Sequence, residues 1–102
     1  MSRSLVERRL TDVTERVKAL RAELGVVDEQ LAQLAGEAEE ARLRALVSET
    51  PLAEREHHEA RKHADAMLRH RGAVAAEIGQ LELAQDELLD RLVAGLNVPD
   101  AI

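Results

Sequence analysis

The side chains best suited to chemistry sit close together in the second half of the chain. His57, His58 and His63 fall within Glu54-Arg55-Glu56-His57-His58-Glu59-Ala60-Arg61-Lys62-His63, and His70 follows. Imidazoles beside carboxylates invite a metal reading, and a helical site pairs ligands three or four residues apart so that both project from one face. His58-Glu59 opens like the metalloprotease helix, but Lys62 stands where the second histidine is needed, and His63 points elsewhere. Glu54 with His58, and Glu59 with His63, keep ligand spacing, yet the same spacing describes ordinary helix-surface contacts. Arg55, Arg61 and Lys62 make the patch inhospitable to a dication. The sequence therefore predicts no metal and no cofactor here; a surface that titrates near neutrality fits better.

Other catalytic signatures are missing. Gly25, Gly36, Gly72 and Gly79 are isolated within helical patterns and form no phosphate loop. Ser2, Ser4 and Ser48 lie at expected helix ends, where capping is their ordinary role. There is no cysteine, so disulfide and thiol chemistry are excluded. The expectation is a protein that is not an enzyme.

The elements that carry these residues are two helices. Val6, Leu10, Val13, Val17, Leu20, Leu24, Val27, Leu31, Leu34, Ala38, Ala41 and Ala45 alternate spacings of four and three without a break. That heptad repeat gives a helix one continuous apolar seam, made to meet another helix. Ser4 with Glu7 fits a capping box, and Ser48-Glu49-Thr50-Pro51 stops the pattern. Thr50 then caps a second helix with Pro51 in its first turn. Its seam reads Ala53, Ala60, Ala64, Met67, Arg71, Val74, Ile78, Leu81, Gln85, Leu88 and Leu92, with Leu68 and Leu89 widening one flank. Gly95 and Pro99 end it.

The expected fold is all-α, a single helical-hairpin domain over 1–102: helix 5–47, turn 48–50, helix 51–94 and a short tail 95–102. Two helices of roughly 44 residues, each about 65 Å long, joined by so short a turn, pack antiparallel. Zero aromatic content and one-third charged residues suit a thin seam better than a globular core. With the turn centred near Glu49, Gly25 falls opposite Gly72 and marks a bendable zone, since each glycine costs about 1 kcal/mol relative to alanine. Arg71 on the seam at that height has Glu23, Asp28 and Glu29 as candidate partners. Gln85, the other polar seam residue, is expected to fix register.

Apolar residues remain off the seam: Leu5, Val26, Leu43, Leu46, Val47, Leu52, Leu83, Leu89, Val93 and Leu96. Leu5, Leu89, Val93 and Leu96 gather at the open end and predict a protein interface there, a homodimer forming a local four-helix bundle. A net charge of −6 and no aromatic residue for base stacking argue against direct nucleic-acid binding. No apolar stretch is long enough for a membrane span, and no secretory signal opens the chain; a cytoplasmic protein is expected.

The stretch Glu56-His57-His58-Glu59-Ala60-Arg61, just beyond the turn, resembles the corresponding segment of Gre-type transcript-cleavage factors. The hairpin length and charged turn are similar too. The resemblance implies a hairpin that enters the secondary channel of RNA polymerase, where the family's acidic tip holds a metal ion. Aligned on His58 and Arg61, that acidic pair falls near Thr50 and Ala53, which cannot bind metal, and no counterpart of the family's globular C-terminal domain is expected in this chain. No catalytic residue carries over. What the resemblance leaves is an interaction site at the tip, Glu49, Glu54, Arg55 and His58, with RNA polymerase as the partner. The principal reading is a coiled-coil protein–protein interaction module: an adaptor, scaffold or small regulatory subunit.

Overall fold

Ser2 opens the first helix. Its Oγ accepts the Leu5 N–H at 3.2 Å and its carbonyl the Val6 N–H at 3.1 Å, which satisfies donors that a helix start leaves unpaired. In this computed structural model, which describes residues 2–97 except the side chains of Leu96 and Asn97, α1 runs Arg3–Ser48. The capping box expected at Ser4 and Glu7 does not form. The cap falls two residues earlier, and Glu7 instead accepts a hydrogen bond from Arg3 Nε at 2.8 Å.

Glu49 ends α1. It adopts φ 51°, the left-handed region, while its N–H donates to the Ala45 carbonyl at 3.1 Å. That single bond from the residue after the helix closes an otherwise orphaned carbonyl. Thr50 follows at once as the cap of α2, Pro51–Asn97: its Oγ1 accepts the Ala53 N–H at 3.2 Å and its carbonyl the Glu54 N–H at 3.1 Å. The expected stop at Ala94 is overrun. Gly95 keeps a negative φ and continues the helix rather than capping it. The rest of the expected tail, 98–102, lies outside the described residues.

The two helices form an all-α antiparallel coiled-coil hairpin. In α1 every expected seam residue from Val6 to Ala45 is buried or half-buried, and of the other described residues only Leu5 is. With Val6 at heptad position d and Leu10 at a, the flanking e and g positions border the seam on opposite sides. In α2 the seam contains one residue that its apolar pattern omits. His57 is half-buried and fills the gap between Ala53 and Ala60 in unbroken phase. Leu68 and Leu89 do not widen the seam; both are exposed.

The chain divides into two compact units. Unit 1 combines Met1–Ala22 with Ala75–Ile102, and its core is Val6, Val17, Leu20, Ile78 and Leu88. Leu20, 1% exposed, anchors it, worth about 2–3 kcal/mol of burial. Arg16 pairs with Glu77 at 3.2 Å, both at g, and Arg21 with Glu82 at 3.1 Å, both at e. Unit 2, Glu23–Val74, holds a thinner core of Val27, Ala41, Ala45, Ala53 and Val74. Its cross-helix pairs are Arg71 with Asp28 and His70 with Glu23, the latter at 3.7 Å. In unit 1, Thr14 meets Gln85 and Arg21 meets Glu82, so the higher number on α1 faces the lower one on α2, as antiparallel packing requires. These contacts are solvent-exposed, so each arginine–carboxylate pair contributes about 0–1 kcal/mol and serves alignment more than stability.

Candidate interaction surfaces

The open-end group divides by flank. Leu89 and Val93 occupy positions e and b, four residues apart on one stripe of α2, and are 42% and 52% exposed. Leu96 continues that stripe by heptad position, but its side chain lies outside the described residues. Leu5 occupies position c, which belongs to the flank bordered by g, and it is half-buried. The single cluster expected from the sequence is therefore a stripe of Leu89 and Val93 with Leu5 apart from it. A cleft of about 340 Å³ lies beside Val6, Leu92 and Gly95, where glycine takes the next d position and leaves the seam without a side chain.

At the turn, Glu49, Glu54, Arg55 and His58 are all exposed. Glu49 is held in its left-handed conformation although it is not glycine, a backbone state that costs about 1–2 kcal/mol. Around it stand exposed apolar side chains. Leu43, Leu46 and Val47 occupy f, b and c on the outer face of α1, Val47 being 85% exposed, and Leu52 opens α2.

The polar seam residues are engaged. Arg71, half-buried, donates to Asp28, the one of its three candidate partners that the structure selects, and this bond raises the Arg71 pKa. Gln85, half-buried, donates to Thr14 Oγ1 at 2.9 Å. Gly25 and Gly72 lie between the Glu23–His70 and Asp28–Arg71 contacts. Both are exposed, both keep helical backbone, and a Cβ built on either meets no atom within 4 Å. Close helix approach does not explain them.

The histidines do not converge. His57 lies beside Glu39 and Arg42 in a groove also lined by Arg61 and Asp65, whereas His63 and His70 line a cleft bordered by g positions. Two hydrogen bonds from Arg42, at 2.9 and 2.6 Å, hold the Glu39 carboxyl below its usual range, outweighing the opposing effect of desolvation. Among the described residues no three histidines, aspartates or glutamates are grouped to hold a metal ion, and no helix is long and apolar enough to cross a membrane.

Sequence reasoning missed His57 as a seam residue because it counted only apolar types; the four-three spacing through position 57 is the signal that finds it. Compared with protein-family models, curated proteins and solved structures, the chain matches none.

Proposed function

We propose that this chain is a non-enzymatic coiled-coil module that works by protein–protein interaction and associates with itself through the Leu89–Val93 stripe. One observation carries the reading: nine large apolar side chains among the described residues are exposed, against ten apolar residues in the core. Scattered exposed leucines are ordinary, but apolar residues grouped on stripes mark interfaces. The clefts are shallow, which supports binding over catalysis.

Light scattering at micromolar concentration tests self-association. The parent chain is expected to be a dimer, and Leu89→Asp with Val93→Asp a folded monomer, since neither side chain is in the hairpin's own core. A monomeric parent overturns the dimer.

A second reading is favoured by Glu49. A strained, exposed carboxylate at the turn fits a tip kept for contact rather than stability, as in a Gre-like hairpin acting on RNA polymerase. Glu49→Lys with Glu54→Lys discriminates: tip-driven regulation of transcription in vitro collapses, while association through the open-end stripe persists. Absence of any effect of the parent chain on transcription disposes of this second reading.

A further inference from the structure

Leu34 and Met67, half-buried seam residues of unit 2, floor a cleft of about 380 Å³ on the flank that g positions border. A second cleft runs along α1 over the same two residues. Toward the turn this flank becomes acidic. Glu37 and Glu40 of α1 and Glu56 and Glu59 of α2 occupy its g and c positions, outnumbering Arg44 at the last g position of α1, and all five side chains are exposed. Stepping by heptads from the facing pair Glu23–His70 brings Gln30 opposite His63 and then Glu37 opposite Glu56. The rule that pairs Arg16 with Glu77 in unit 1 here sets two carboxylates face to face. Glu37 accepts the Gln33 amide at 3.4 Å, and among the described residues none of the four carboxylates forms an ion pair. Facing like charges weaken the hairpin and leave the flank in want of positive charge.

We propose that this flank of unit 2 docks a basic amphipathic helix of another protein. The apolar stripe of such a helix lies over Leu34 and Met67, and its lysines and arginines meet the four carboxylates. Methionine suits the floor because its unbranched side chain reshapes to fit the incoming residues. A second copy is a poor occupant, because it brings a further net charge of −6 to an acidic flank. The proposal rests on reading the chain as an interaction module, and not on its self-association.

Fluorescence anisotropy of the full chain with a labelled Leu/Lys amphipathic peptide of about 18 residues, long enough to form a helix, provides the test. The peptide is expected to bind, with its Leu/Glu counterpart at least about tenfold weaker. E37Q/E40Q/E56Q/E59Q should weaken binding by about tenfold or more. Ala66→Arg, a substitution at an exposed position on the cleft rim, should do the same without touching the core. D12N/E15Q/E29Q/D86N removes as much charge elsewhere and should bind like the parent. L89D/V93D should also bind like the parent, which separates failure here from failure of the dimer. Equal losses in the two charge-removal variants, or unchanged binding by Ala66→Arg, overturn the proposal. A change in the unliganded chain's mass on Ala66→Arg assigns the cleft to a second copy and overturns it equally.

Discussion

Replacing Gly25, Gly36, Gly72 and Gly79 together by alanine should stabilise the fold by about 3–4 kcal/mol. Each glycine is exposed, lies inside a helix without positive φ, and has nothing within 4 Å of where its Cβ would stand. The new methyl groups meet no clash and gain little burial. Their effect acts on the unfolded chain, which has fewer backbone states to surrender on folding. At a helix-interior site the difference is about 0.8–1.0 kcal/mol. Gly25 and Gly36 stand about 16 Å apart along α1, Gly72 and Gly79 about 10 Å apart along α2, and the Cβ positions at Gly25 and Gly72 each meet nothing within 4 Å, so the effects should add. Against a total stability of about 5–15 kcal/mol for a chain this long, the gain is large. It corresponds to a rise in Tm of roughly 12 °C or more. Thermal and urea melts followed by circular dichroism measure it, at one protein concentration because association shifts apparent stability. A variant that melts with or below the parent would refute the prediction. It would mean that these outward positions lie against another chain, since nothing in this one occupies the space.

The same variant tests the bendable zone: amide exchange near Gly25 and Gly72 should be faster than in the neighbouring turns of the parent and slow markedly with alanine. Glu49→Gly should raise stability by about 1 kcal/mol, because glycine adopts the left-handed conformation without the steric cost that glutamate bears; an unchanged melt would count against strain at the turn. Arg42→Gln should move the Glu39 carboxyl upward toward 4.5 in an NMR titration. Since the folded value is the depressed one, the pair's contribution is present above the unfolded carboxylate range and is lost as pH falls through the folded value. Gln85→Leu should raise Tm by improving seam burial, while NMR spectra show more than one register once the bond to Thr14 is gone.

Periodicity alone made the seam of α1 legible residue by residue, because a heptad pattern states which stripe must leave water. It was less complete in α2, where His57 holds a seam position that residue type alone hides. Helix ends were legible only approximately. Ser2 and Ser4 are equally good caps in isolation, and Gly95 can cap or continue, so the choice depends on backbone geometry that local sequence does not decide. The interaction surfaces were the least legible. Leu5 and Leu89 look like neighbours when the hairpin is drawn as two lines, but flank assignment needs heptad phase on both helices. The facing of Glu37 and Glu56 likewise emerges only from the register that Glu23 and His70 fix.

Only Glu49 and Thr50 separate the two helices, and that economy bears on how the chain comes to fold. Joining segments this near in sequence forfeits little loop entropy, so the residues beside the turn can meet first and each later pair closes onto a strand already held. The hairpin should then assemble like a zip fastener drawn from Thr50 toward the chain ends. Pulled by those ends, it should peel open in the reverse order and surrender the turn last.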